Sequence, residues 1–430
     1  MPAALVDLVA VAALVVMLVV AFLHPSGRLE AGTGVAAVAV VLAVGAVQAG
    51  QAVAEARALF PVVAFLAAIL VVAEVCAAEG VFRAVGAMVS RAGRREPRRI
   101  LLLAFAAASV TTAALSLDAT VVLLTPVMAA AAATSKVSPR PVVHACVRLA
   151  NSASLLLPVS NLTNLLAMPH LRLSFLGFAA RMAPVWLAVI AVEYVGHRLF
   201  FRRDLASPPV PDGPPPEARL PVFPLVVLGT MLVGFAVASP LGVEPAWVAT
   251  AAALVLVAHA VRPRETAARG TALPSGTLTL AQAGRAAHLG FAVFVLCLGV
   301  VVAALGDSFL GHAVHALVPD GSSLPALLGV AGLGMLLANV VNNLPATLLL
   351  VPFVAPLGAS AVLAALVGLD VGSTLTYAGS LANLLWRRTL LRHGMPPSAA
   401  TFHAFSGLLT LPAVAVGVVV LWGWTDLLGR

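Results

Sequence analysis

Long apolar runs separated by short polar breaks dominate the chain. A helix needs about 20 apolar residues to cross the hydrocarbon layer, and runs of that size lie at Leu5–Leu23, 33–50, 58–78, 174–200, 221–239, 245–261, 284–305, 361–391 and 399–424. Two further stretches are apolar around a polar centre. The first, Ile100–Thr134, is interrupted at Ser116-Leu117-Asp118-Ala119-Thr120 and has bases on both flanks: Arg91, Arg94, Arg95, Arg98 and Arg99 before it, Lys136 and Arg140 after it. Basic flanks stay cytoplasmic, so both ends want one side. The pattern predicts a re-entrant helical hairpin over about 100–134, because non-helical backbone at depth is tolerated where it faces protein or a water-filled cavity. The second, 322–357, centres on Asn339-Val340-Val341-Asn342-Asn343-Leu344-Pro345, and its flanks carry Asp307 and Asp320 but no base. That hairpin is expected to enter from the opposite side.

Taking 141–173 as one long interrupted span gives about ten full crossings, with both termini outside. The arginines fit this path. Arg202, Arg203 and Arg219 fall in the proline-rich linker 206–220 and its approach, Arg262, Arg264, Arg269 and Arg285 in the loop 262–285, and Arg387, Arg388 and Arg392 at the end of 361–391. All are loops that the walk places in the cytoplasm. The first apolar run contains Asp7 and has no base before it, unlike a signal peptide, and reads as a retained span.

Ser160-Asn161-Leu162-Thr163-Asn164-Leu165-Leu166 matches Gly379-Ser380-Leu381-Ala382-Asn383-Leu384-Leu385, and each segment follows a candidate hairpin. The halves are then 1–205 and 221–430, joined by the linker 206–220. Because the first half starts outside and the second inside, they are inverted repeats, the build of many secondary transporters. The expected fold class is an all-α polytopic membrane protein of two inverted repeats, about ten transmembrane helices and two opposed re-entrant hairpins. Broken helices are expected at about 141–173, where Pro158 interrupts the span, and 361–391, where Gly379 does.

Composition agrees with a bilayer location: 61% of the 430 residues are hydrophobic and 10% charged, too few to clothe a soluble particle. The net charge of +8 comes from the loop arginines and does not point to nucleic acid. Cys76, Cys146 and Cys297 lie far apart with no metal-ligand or disulfide spacing, so neither cofactor nor metal is expected.

Against that background a few polar residues stand out. Asp118, far from either basic flank, falls near the bilayer centre, where a carboxylate costs at least about 2.5 kcal/mol unless paired or neutralised. It is a candidate proton carrier; a helix cap for the hairpin's second arm is the plainer reading, and the two are compatible. Asp370 lies ten residues before Ser380 as Asn151 lies ten before Ser160, and is the second candidate for proton coupling, an N-cap being its alternative. Thr120, Ser160, Asn161, Thr163, Asn164, Asn342, Asn343, Thr347, Ser380 and Asn383 are candidate solute ligands. A lone polar residue in a bundle more often cross-links helices, but these cluster at symmetric breaks. Each carries a donor and an acceptor, which suits a neutral polyhydroxyl solute better than an anion. Glu193 and His197 read as a pair at a cytoplasmic helix end, and His144 and Arg148 as interfacial, with Arg148 an alternative counter-charge for Asp118.

At these motifs the chain resembles the ArsB-type arsenite efflux permeases of the ion transporter superfamily. The resemblance covers nearly the full length and is carried by Leu117-Asp118-Ala119-Thr120 through Thr125-Pro126, Ser160-Asn161-Leu162-Thr163-Asn164-Leu165, Asn342-Asn343-Leu344-Pro345, Gly368-Leu369-Asp370-Val371-Gly372 and Gly379-Ser380 through Trp386. It implies the superfamily fold, a location in the bacterial plasma membrane, and export of arsenite and antimonite as neutral trihydroxides by proton antiport. In some members a cytoplasmic arsenite-stimulated ATPase assists. That partner and a homodimer stay open here. Where the family commonly has Asn-Asp-Gly at the first hairpin tip this chain has Leu117-Asp118-Ala119, which keeps the carboxylate and changes its neighbours. The same-class alternative is a sodium- or proton-coupled carrier of another small solute, a dicarboxylate or other anion, or a sodium/proton exchanger. A lipid-modifying enzyme would need a cluster of interfacial acids, His or Lys that the sequence lacks.

Overall fold

A computed structural model of the chain describes residues 2–23, 27–206, 220–261, 279–306 and 308–428. Most of the linker 206–220, Arg262, Arg264, Arg269 and Asp307 lie outside the described residues. The described residues are helical and include no strand. In chain order the helices are α1 (Ala3–Leu23), α2 (Gly27–Ala43), α3 (Ala49–Ala78), α4 (Val81–Gly93), α5 (Pro97–Ala114), α6 (Leu117–Ala119), α7 (Thr125–Thr134), α8 (Arg140–Ser152), α9 (Leu162–Leu171) and α10 (Phe175–Phe200). Past the linker come α11 (Val222–Ala238), α12 (Pro245–Ala260), α13 (Leu280–Ala286), α14 (Leu289–Ala303), α15 (Phe309–Leu317), α16 (Leu324–Val341), α17 (Asn343–Val354), α18 (Ala359–Asp370), α19 (Leu381–Arg392) and α20 (Ala399–Leu428).

Eight helical stretches are long and apolar enough to cross a bilayer, and Pro245–Ala260, Asn343–Leu357 and Ala359–Leu375 are apolar but shorter. The protein is thus a multi-pass membrane protein. Several boundaries differ from those expected. The run at 33–50 is α2, which starts at Gly27 and stops at Ala43, because Gly45 turns the chain at φ 76° and Gln48 then opens α3 with a reciprocal cap through Gln51. As a result α3 starts at Ala49 rather than residue 58, carrying Glu55 and Arg57 inside a helix. The span expected at 284–305 is split at His288, whose φ is 44°, into α13 and α14. Two short helices, α4 and α15, were not anticipated as elements. They are amphipathic and too short to register as apolar runs.

The order long helix, short helix, helical hairpin, helix, 3-10 break, helix, long helix occurs twice, over α3–α10 and over α14–α20. In both hairpins the second arm packs on the post-break helix of the other half, α17 on α9 and α7 on α19. The first two helices of each half are exchanged in the same way. Helix α2 lies along α14 and α12 along α3, so the α1–α2 pair completes one apolar core with α14–α18 while α11–α12 complete the other with α3–α9. Helices α16 and α18 pack so closely that a side chain at Gly368 would overlap the Ala331 carbonyl. Only glycine allows that approach.

Among the described residues, polar contacts join several of the base-bearing segments. Ser138 donates to Asp204 at 2.7 Å, Arg140 lies 3.9 Å from Asp204 and reaches Thr401, and Arg388 donates to the Phe22 carbonyl at 2.9 Å. Elsewhere the Phe309 amide donates to Asp7 and the Phe175 amide to Ser239.

Candidate functional site

Two helix breaks face each other in the centre. In the first, Pro158 forces Leu157 into an extended conformation, two 3-10 turns (Ala153–Leu156 and Pro158–Ser160) follow α8, and Asn161, extended, caps α9 by accepting from the Thr163 amide at 3.3 Å. The second has no proline. Thr376 is extended between two 3-10 turns, and Ser380 caps α19 by accepting from the Asn383 amide at 3.3 Å. Gly379 is obligatory, since a Cβ there would overlap the Ser373 carbonyl and sit 2.6 Å from Asn339 Oδ1.

Breaking a helix strands backbone carbonyls, and one asparagine per break takes them up. The Asn164 amide donates to the carbonyls of Ser154 and Leu157 at 2.8 and 3.0 Å; the Asn383 amide does the same to Ser373 and Thr376 at 2.9 and 2.8 Å. Either amide truncated to alanine would leave two buried acceptors unsatisfied, at about 1–3 kcal/mol each. Asn164→Ala and Asn383→Ala are therefore each expected to lower the thermal unfolding midpoint of the purified protein clearly, and equal midpoints for variant and wild type would contradict this role.

The breaks are also tied to each other. Asp370, at the end of α18 and fully buried, accepts at Oδ1 from Asn161 Nδ2 at 3.0 Å and from Thr163 Oγ1 at 2.7 Å, while Asn151 Nδ2 donates to Asn383 Oδ1 at 3.0 Å. Oδ2 of Asp370 accepts no hydrogen bond. Asn339, half-buried, clamps the second hairpin to the second break: it donates to the Met335 and Gly372 carbonyls and accepts from the amide and hydroxyl of Thr376. It belongs to the polar centre of the hairpin but was not among the expected site residues. One helical turn ahead of the tip is the signal that marks it.

A cavity of about 470 Å³ opens in front of the breaks. Of the residues singled out from sequence, Asp118, Ser160, Asn161, Thr163, Asn342, Asn343 and Ser380 line it. Thr120, Asn164, Thr347, Asp370 and Asn383 stand behind, buried: Thr120 pairs with Thr112 at 2.7 Å, Thr347 donates to the Asn343 carbonyl, and Asp370 reaches the cavity only through Asn161 and Thr163. Both hairpin tips bend through positive φ, Ser116 at 149° and Asn342 at 74°. Ser116 caps α6 and lines the cavity, as does Glu30, a buried acid of α2 that sequence inspection passed over. Among the described residues the lining includes two carboxylates and no basic side chain.

Behind the breaks lies a buried ion pair that the sequence assigned elsewhere. Arg148 does not serve Asp118, and Glu193 does not snorkel to an interface. With 1% and 0% of their side chains exposed, the two meet in a forked pair, Nη2 to Oε1 at 2.6 Å and Nε to Oε2 at 3.0 Å. Ser152, next to the first break, donates to Glu193 Oε1 at 3.0 Å; Arg148 Nη1 donates to Thr410, which contacts Thr374 of the second break at 3.1 Å. His144 and His197, expected near the surface, are buried around Phe201 and Phe405. These groups lie within about two turns of the start of α8 (Arg140) or the end of α10 (Phe200), too close to a helix end to tell a lipid-facing from a protein-facing side by hydropathy alone.

The chain is 27% identical over 422 residues to an arsenical pump membrane protein of Yersinia enterocolitica, covering 95% of this chain and 96% of the relative. A protein of the same name from Escherichia coli K12 is 28% identical over 372 residues, 82% and 84% of the two chains. Among solved structures the YdaH transporter of Alcanivorax borkumensis superposes with a TM-score of 0.54 over 88% of each chain at 16% identity, which establishes a common fold. The model of the citrate transporter family CitMHS matches residues 3–367. The chain is a multi-pass bacterial membrane transporter, and it belongs to the CitMHS citrate transporter family.

Proposed function

We propose that the protein exports trivalent arsenite and antimonite, as neutral trihydroxides, by proton antiport. The observation that carries this is the chemistry of the cavity. Among the described residues it offers hydroxyls and carboxamides from Ser160, Asn161, Thr163, Asn342, Asn343 and Ser380, two acids, and no base. At three helix N-termini, ends that could hold an anion, one amide each is already engaged: those of Ala119, Thr163 and Asn383 are capped by Ser116, Asn161 and Ser380, while α17 starts without a side-chain cap. A small triol can be held by such donors and acceptors and released again, whereas a tricarboxylate finds no basic side chain among the described lining residues to recognise it. The names of the curated relatives support the arsenical reading.

In this reading the halves are inverted repeats and the hairpins re-enter from opposite faces, which the twofold recurrence of the element order supports. Asp118 lines the cavity and Asp370 abuts its ligands; both are the proton-coupling groups, with Thr120, Thr347, Asn164 and Asn383 shaping the site from behind.

Arsenite uptake into everted vesicles with and without an imposed proton gradient tests the proposal. Gradient-driven accumulation by the wild type, reduced at least about tenfold in Asp118→Asn, is expected; tenfold corresponds to about 1.4 kcal/mol of lost binding or coupling. The second reading, coupled citrate transport, is favoured by the description of the family model. Sodium- or proton-driven citrate uptake without arsenite uptake would establish it in place of the first.

A further inference from the structure

We propose that the cavity also accepts mono-organic trivalent arsenicals, R–As(OH)2 with R an alkyl or phenyl group, and binds them more tightly than arsenite. This rests on the arsenical reading and specifies the substrate class of the same site. Size is the first argument. Taking about 30 Å³ for each water-sized group, a trihydroxide of four heavy atoms fills roughly 100 Å³, against a cavity of about 470 Å³. The second is polarity. Every hydroxyl and carboxamide of the lining comes from the hairpin tips and breaks, while the facing wall, supplied by α1, α3 and α14, presents Phe22, Phe65, Ile69, Phe291, Phe294 and Leu298. Phe65, Ile69 and Phe294 are themselves 2–3% exposed, so the inner part of that wall is packed and preformed, while Phe22 at its edge is 50% exposed. Glu30 is the one charged group on that side.

Wetting an apolar wall for an inorganic triol gains nothing; a solute with one hydroxyl replaced by an apolar group keeps two hydroxyls for the polar end and removes the wall from water. Sites of this volume, mostly apolar with a few convergent polar groups, are the usual form of small-molecule sites. No cysteine lines the cavity, so a thiol-seeking arsenical is held by reversible contacts.

The test uses everted vesicles containing the full chain, with arsenic counted by mass spectrometry and vesicles lacking the protein as the permeation blank. It is repeated in Cys297→Ser, the cysteine that is not fully buried, so that thiol capture cannot mimic binding. Phenylarsonous acid is expected to accumulate with the gradient and to inhibit arsenite uptake half-maximally at about one-tenth the concentration of antimonite or less, since even one methylene in an apolar pocket is worth roughly tenfold or more. Phe291→Ser and Phe22→Ser are each expected to bring that ratio towards one, two variants guarding against a folding defect in either. Arsenite accumulation with no competition or accumulation of phenylarsonous acid overturns the proposal and leaves the arsenite reading standing. Competition without accumulation overturns it as well, as does an unchanged ratio in both Phe variants. If neither compound moves, the arsenical reading itself fails.

Discussion

The Glu193→Gln variant is expected to lose about 3–5 kcal/mol of folding stability, read as a lowered unfolding midpoint in detergent and a reduced yield of inserted protein. The carboxylate is the counter-charge that Arg148 meets among the described residues, both side chains are sealed from solvent, and the contact is forked. Removing the charge leaves a guanidinium in a dry interior with no counter-charge, held by the glutamine oxygen, Thr410 and the Phe405 ring. Replacing both residues by leucine is expected to recover most of that loss, because an apolar pair of similar volume avoids the desolvation cost altogether. Transport should not recover with it. Ser152 and Thr410 lose their partners in the double variant, and these are the links from the ion pair to the two breaks. A double variant that is both stable and fully active would show the pair to be mere packing. A single Glu193→Gln variant as stable as the wild type would show that the charge is compensated in some other way.

That pair also marks where sequence reading stops. The breaks are legible, because a polar cluster inside a 20-residue apolar run is costly wherever it faces lipid and must therefore face something else. Pro158 and the Ser160-Asn161 and Gly379-Ser380 pairs stand out on that ground alone. What each polar residue touches is not legible. Asn161 and Asn164 are three residues apart on one short helix, yet one lines the cavity and the other turns its amide back onto the Ser154 and Leu157 carbonyls. Arg148 and Glu193 are 45 residues apart, on different spans, and each considered singly looks like a side chain near a helix end. Hydropathy averages over the helix circumference, so it cannot separate a group facing lipid from one facing the protein interior. Helices α4 and α15 escape for a related reason: their apolar residues lie on one face and never form a run. The exchange of α1–α2 and α11–α12 between the halves is a property of packing that a linear pattern does not carry.

Asp370→Asn is expected to abolish uphill accumulation while leaving downhill arsenite exchange in place. With a pH difference of about two units, one-for-one antiport supports about 100-fold accumulation, each factor of ten corresponding to about 1.4 kcal/mol; the variant should equilibrate at roughly one-fold. The substitution is nearly isosteric, and Oδ1 still accepts from Asn161 and Thr163. What it removes is the ability of Oδ2, which accepts no hydrogen bond, to take up and release a proton. The groups around Asp370 make it a better coupling site than its plain burial suggests. Helices α16 and α17 pack on α18 and carry no ionisable side chain, α9 presents Asn161 and Thr163, and the Arg148–Glu193 pair reaches the neighbourhood only through Thr410 and Thr374. Its charge state is therefore felt first by two residues that line the cavity. Asp118, in contrast, lines the cavity itself and is half-buried, so its loss should weaken solute binding and driven uptake together. Counterflow in the absence of any gradient separates the two: retained in Asp370→Asn, diminished in Asp118→Asn. The reverse pattern would move the coupling role from Asp370 to Asp118, and loss of counterflow in both would make both carboxylates part of the solute site.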